Sequence, residues 1–283
     1  MRLAERLGLT IVSADSRQIY RSFDIGTAKP TVAERARVPH RCIDVADATE
    51  RWSAWRWAKE AAAIIDELGH NRALVVGGTG LYLQALVHPM AEQLPLDPAE
   101  RVRVGAELDT WPIEKLRTWT SVLDPERAHL GRTQLLRAIE TVLLTGHRLS
   151  AMIATPQLRE PDRPARWLVV DPGEPLQEQI SARLDAMLAA GWIDEAAALA
   201  TQYPEDAPAW KACGYRVARA VARGEQTLAE ARATILVHTR QYAKRQRTWF
   251  RNQLTTSDVT RLDPRDPRAE DIVRSWWDSE DSA

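Results

Sequence analysis

Three short apolar runs, Thr10 to Ala14, Ala73 to Val76 and Trp167 to Val170, are bounded by turn residues and read as buried strands. The first runs into Asp15 and the second into Gly77. Between them the apolar positions take helical spacing over Ser53 to Leu68, with Ser53 placed to cap the helix and Gly69 to stop it. A strand, a crossover helix and a second apolar strand predict a parallel sheet covered by helices, with ligands outside the carboxyl ends of the strands. From Pro95 to Arg132 the pattern changes to charged helical segments punctuated by Pro98, Pro112 and Pro125. After Asp171 the chain is nearly all helical, broken at Gly191, at Tyr203 to Pro208 and at Gly224. Met1 to Leu7 reads as the last turns of an amphipathic helix ending at Gly8, with Leu3 and Leu7 inward. The expected organisation is an α/β core over residues 1–91 and 130–172, a helical insertion over 92–129, and a helical C-terminal region over 173–283.

Composition changes this picture little. The 283 residues suffice for one large or two small domains, and a formal net charge of −1 means that any surface for a polyanion is a local patch balanced by acids elsewhere, as in the tail from Glu270 to Asp281. Cys42 and Cys213 have no paired or metal-like spacing and read as core thiols; the six histidines form no ligand pair. No stretch approaches the roughly 20 apolar residues of a membrane span. A cytoplasmic monomer is expected.

Three segments carry candidate chemistry. Thr239 to Arg251, TRQYAKRQRTWFR, holds five cationic and three aromatic side chains, and no acid occurs between Glu230 and Asp258. At helical spacing Arg240, Lys244, Arg247 and Arg251 share one stripe while Leu236, Ala243 and Phe250 share an apolar one. Such a stripe fits a phosphate backbone or a phosphorylated small molecule; a solvated basic face is the plain alternative. Asp15, at the end of the first strand, is placed either to accept a proton from a substrate or to cap the turn that follows, and Ser16, Arg17 and Gln18 offer donors and acceptors beside it. Gly77-Gly78-Thr79-Gly80 is a strand-to-helix turn that presents backbone N–H groups to an anion or lets another segment approach closely.

Taken in order, these segments resemble the tRNA dimethylallyltransferases. DSRQIYR with DIGTAKP (Asp24 to Pro30) is similar to that family's first signature and VVGGTGLYL to its second. RAIE (Arg137 to Glu140) with Thr145 and Gly146 resembles the third, Gly214 and Tyr215 the fourth, and TRQYAKRQRTWFR the fifth. The resemblance implies a core like that of the P-loop NTPases, and transfer of a dimethylallyl group from dimethylallyl diphosphate to N6 of adenosine 37, beside the anticodon of tRNA, with Mg²⁺ at the diphosphate. It makes Asp15 the base. It places Asp15, Ser16, Arg17, Gln18, Thr79 and Arg101 on the tRNA anticodon stem-loop, together with Thr133, Gln134, Leu135, Leu136 and Arg137 and the cations Arg240, Lys244 and Arg247.

The chain also departs from the family. Leu130, Gly131 and Gln134 stand where an Asn-Asp pair and a further Arg are usual, with Arg132 able to restore some of the charge. No GxxxxGK[ST] phosphate loop occurs, and only fourteen residues precede Asp15. The diphosphate contacts therefore stay unassigned, and a native start roughly twenty to thirty residues earlier is expected from the strand, loop and helix that are lacking. Three rivals stay open: an adenylate isopentenyltransferase acting on free nucleotide, a small-molecule kinase, and an RNA-binding remnant without catalysis.

Overall fold

The computed structural model describes residues 1–69, 71–88, 98–154, 163, 165–254 and 259–279. The first residues of the expected insertion, 92–97, together with Asp258, Glu280 and Asp281, lie outside the described residues. The chain divides into two units, Met1–Leu83 with Ala165–Ala283, and Gln84–Pro164. The second unit is thus wider than the insertion expected over 92–129.

In the first unit, α1 (Arg2–Leu7) leads through Gly8 into β1 (Thr10–Ser13). Ala4 is the buried residue of α1, whereas Leu7 is 39% exposed, so the helix is rotated from the expected setting with Leu7 inward. α2 (Val32–Arg37) carries a reciprocal cap between Thr31 and Glu34 and precedes β2 (His40–Arg41). α3 (Ala54–Leu68) begins where the Ser53 hydroxyl accepts the Arg56 N–H and ends at Gly69, as the sequence predicts. β3 (Ala73–Val76) follows. The sheet order is β2-β1-β3 with both pairings parallel, and Ser13 is in register with Val76. Being central, β1 is buried along its whole length, which is where a continuous apolar run belongs. β3 is not fully buried as expected: it ends the sheet, and Val76 is 46% exposed.

α4 (Gly80–Val87) runs across the division between the units. In the second unit α5 (Pro98–Asp109) and α6 (Ile113–Leu123) fall in the stretch expected to be helical, and α7 (Arg132–Thr145) and α8 (Leu149–Ala154) extend the helical structure beyond it. Val104, Leu108, Leu116, Leu135 and Ile139 form its core.

The first unit resumes with β4 (Trp167–Val170), followed by α9 (Leu176–Ala189), α10 (Trp192–Gln202), α11 (Tyr215–Ala222) and α12 (Leu228–Gln253). β5 (Val259–Leu262), which the hydropathy pattern does not announce, pairs in parallel with β4 as a separate two-stranded sheet. β4 is therefore half-exposed rather than buried. α13 (Ala269–Asp278) sets Trp277 against the cluster of Ala4, Leu9, Ile11 and Val38, and Arg166 donates to the carbonyls of Trp276 and Trp277 at its C-terminal end.

Candidate active site

The site lies at the carboxyl ends of β1 and β3. Trp57 of α3 donates its indole N–H to the Ser13 carbonyl at 3.0 Å and stacks on Tyr82, fixing the last residue of β1 from below. The next residue, Ala14, is held from the side: its N–H donates to Val76 O, and its carbonyl accepts the Thr79 N–H at 3.1 Å. The glycine turn therefore folds back onto β1. A Cβ at Gly77 would overlap the Ala14 backbone, so close approach of two main chains requires glycine there.

This packing projects Asp15 out of the sheet, half-buried. Its Oδ1 accepts the N–H of Arg17 at 2.7 Å and of Gln18 at 3.4 Å. The carboxylate thus caps its own turn through one oxygen, the second of the two roles expected of it. The Ser16 N–H donates to Thr79 Oγ1 at 3.0 Å, tying the Asp15 turn to the glycine turn. Gln18, expected to face RNA, has both ends of its amide engaged within the fold. Oε1 accepts from Ser13 Oγ, and Nε2 donates to the carbonyls of Thr27 and Ala28.

α12 packs against the glycine turn through side chains one turn apart. Gln246 donates to Gly78 O at 3.0 Å, and Trp249 lies so close to Gly80 that a Cβ there would enter its indole. One turn earlier Tyr242 reaches the Thr79 side chain; burial chiefly, and then the charge of Asp15, push its phenol above the ordinary tyrosine value. Arg240, Lys244, Arg245 and Arg251 are exposed on the same helix, along which runs an open recess of about 490 Å³ lined by Lys244, Arg245 and Trp249 among others. Arg247 is exposed as well but pairs with Asp171 at 2.7 Å, an acid supplied from outside the acid-free run. The structure thus joins Asp15, Ser16, Thr79 and α12 in one site.

The model of the family described as IPP transferase matches residues 18–253. The chain belongs to the IPP transferase family. A tRNA dimethylallyltransferase of Thermosynechococcus vestitus is 41% identical over 262 residues, covering 88% of this chain and 80% of that protein. One of Deinococcus radiodurans is 40% identical over 267 residues, covering 90% and 85%. Among solved structures, a tRNA isopentenylpyrophosphate transferase of Staphylococcus epidermidis is 30% identical with a TM-score of 0.65, covering 96% of this chain and 91% of that one. A eukaryotic dimethylallyltransferase acting on tRNA, 23% identical, shares the fold with a TM-score of 0.76 over 94% of this chain and 70% of that one. These neighbours bear out the expected P-loop-NTPase-like α/β fold.

Other residues expected on RNA belong to the second unit of this IPP transferase family chain. Arg101 makes a two-point pair with Glu140, Nε to Oε1 at 3.0 Å and a second nitrogen to Oε2 at 3.5 Å. Arg137 is exposed on α7. Thr133 and Gln134 are exposed, Leu136 is partly buried, and Leu135 is wholly buried in the core, so its side chain packs the unit instead of meeting solvent. Arg132 donates to the carbonyls of Trp111 and Asp109. For the expected Mg²⁺, no group of three His, Cys, Asp or Glu side chains able to hold a metal gathers among the described residues.

The lysine of the DIGTAKP segment has a structural task that its sequence does not show. Lys29, its side chain 1% exposed, bonds to Asp24 Oδ1 at 2.6 Å, to Asp44 Oδ1 at 2.5 Å and to the Tyr20 carbonyl; Arg35 holds the other oxygen of Asp44. Burial acts to raise the Asp44 carboxyl, yet the bonds and charges of Lys29 and Arg35 outweigh it and hold the group below the ordinary carboxylate range. Its folded value lies under its unfolded value of about 3.9, so its contribution is complete above that pH and is lost as pH falls through the folded value. Asp44→Asn is therefore expected to be less stable than the unmodified chain at neutral pH, with the gap closing below about pH 4. Urea unfolding across that range checks this, and a gap that stays constant contradicts it.

Proposed function

We propose that this chain transfers a dimethylallyl group from dimethylallyl diphosphate to N6 of adenosine 37 of tRNA, with the anticodon stem-loop as its partner. The observation that carries the reading is the single site that joins the Asp15 carboxylate, the Thr79 turn and the cationic helix α12. The N6 lone pair is delocalised into the purine, so the amine attacks an allylic carbon well only as its proton is removed. In the step, an N6–C bond forms, the allylic C–O bond breaks, diphosphate departs with the bonding pair, and Asp15 Oδ2 takes the proton. Ser16, Arg17 and Thr79, next to Asp15 in the same pair of turns, offer polar groups suited to a base splayed from the loop and read on its edges. Arg240, Lys244 and the partly neutralised Arg247 follow the RNA backbone, while Arg101 and the exposed residues of Thr133 to Arg137 supply further contacts. Mg²⁺ accompanies the diphosphate in this reading.

The test is transfer of labelled dimethylallyl to unmodified tRNA and to free AMP. Label in tRNA alone is expected; label in AMP alone selects a free-nucleotide enzyme, and salt-dependent binding without transfer selects a non-catalytic RNA binder. The helix makes a further expectation. Arg240→Ala with Lys244→Ala weakens tRNA binding and flattens the plot of log affinity against log salt by roughly 0.7–0.9 for each phosphate contact removed. An unchanged slope takes α12 off the RNA.

A further inference from the structure

α10 and α11 lie far from Asp15 in the chain, yet they hold a loop that bonds to the Asp15 turn. Glu195 of α10 accepts the backbone N–H groups of Asp24 at 3.2 Å and Ile25 at 2.8 Å through Oε2, and the Tyr215 hydroxyl at 2.5 Å through Oε1. The same hydroxyl accepts the Gly26 N–H at 3.1 Å. Three successive amides of the 24–26 segment thus converge on one carboxylate and phenol pair. Tyr215 is wholly buried, and Phe23, at the start of the loop, packs on its ring at 4.8 Å and on Trp210 at 5.2 Å. Directly after that segment, the carbonyls of Thr27 and Ala28 accept from the Gln18 amide at 3.1 and 3.2 Å. Gln18 in turn receives the Ser13 hydroxyl, and its own N–H lies on Asp15 Oδ1. Hydrogen bonds at both ends, with the backbone of the 24–28 loop and the Gln18 residue between them, therefore join Glu195 to Asp15.

We infer that Glu195, with Tyr215, is a positioning residue for Asp15: it fixes the loop whose carbonyls orient Gln18, and Gln18 holds the Asp15 turn in the geometry that proton transfer needs. This deepens the tRNA reading above and rests on it. Glu195 touches neither the reacting atoms nor the cationic face of α12 in this account, so its loss misplaces the base without loosening the RNA. A displacement of about 1 Å at a reacting group is enough to cost on the order of a hundredfold in rate.

The experiment is a double-substitution cycle on the full chain with Glu195→Ala, Gln18→Ala and the two combined, measuring single-turnover transfer, tRNA Kd and Tm. Glu195→Ala is expected to slow transfer roughly ten- to a hundredfold with tRNA Kd within about twofold. The combined variant is expected to be no slower than the slower single one, because both act along one path. Rate losses that multiply overturn the proposal, as does a Glu195→Ala effect confined to Kd or no effect at all. Should Glu195→Ala fail to fold, Tyr215→Phe removes one hydroxyl and keeps the ring packed; it is expected to slow transfer at unchanged Kd, and unimpaired transfer overturns the proposal. If the unmodified chain itself transfers nothing to tRNA, the tRNA reading falls, and amide exchange at residues 15–18 decides the positioning claim separately. Faster exchange in whichever of the two variants folds upholds it, and unchanged exchange overturns it.

Discussion

Replacing Asp15 by Asn lowers the rate of dimethylallyl transfer by about 10²–10⁴-fold and leaves tRNA affinity within about a factor of two. The asparagine keeps a carbonyl oxygen where Oδ1 accepts the Arg17 and Gln18 amides, so the turn retains its shape. What it lacks is an oxygen able to take a proton at the place where Oδ2 stands. Single-turnover rates with saturating tRNA, beside filter-binding affinities, separate chemistry from binding. Turnover within about threefold of the unmodified chain would remove Asp15 from the mechanism, and a matched loss of affinity would recast it as an RNA contact.

The second large effect is on folding. Gly77→Ala is expected to destabilise the first unit by on the order of 3 kcal/mol, because the added methyl meets the backbone of Ala14 and not a movable side chain. Relief requires the glycine turn to lift off β1, which breaks the Thr79 N–H bond to Ala14 O and separates Ser16 from Thr79. Gly105→Ala is the control. That glycine lies within α5, where a Cβ meets nothing within 4 Å, and the same change should raise stability by about 0.5–1 kcal/mol through helix propensity. Denaturant midpoints of the two variants should move in opposite directions, and equal shifts would refute the overlap argument.

How much the sequence told depended on how local each signal was. The α3 helix was legible to its ends because Ser53 and Gly69 act on their own neighbours. β1 was legible because a central strand, buried on both faces, is filled by small and β-branched residues such as Thr10, Ile11, Val12 and Ser13. β2 was not, since His40 and Arg41 are polar and partly exposed, and β5 was not, since its partner lies far away in the chain. The setting of α1 escaped because a short helix with two leucines can rotate to bury Ala4 instead. At the site, Asp15 and the glycine turn were marked by their places at strand ends. Glu195 carried no mark at all: it is one of several acids on the C-terminal helices, and only the return of the 24–26 loop gives it a task. Arg247 shows the converse, a cation of the motif whose charge Asp171 meets from outside the run.

The pairing of β4 with β5 joins Trp167 to Val259 and Val170 to Leu262, residues about 90 apart in the chain. Contacts of such high contact order are late ones in folding. On a ribosome adding roughly 5–20 residues per second, β4 waits about five to twenty seconds for its partner, while α9 to α12 emerge and pack. During that interval its ladder edge is open and aggregation-prone. Stalling the ribosome between Val170 and Val259 should therefore yield a nascent chain that needs chaperone cover in a way the finished one does not.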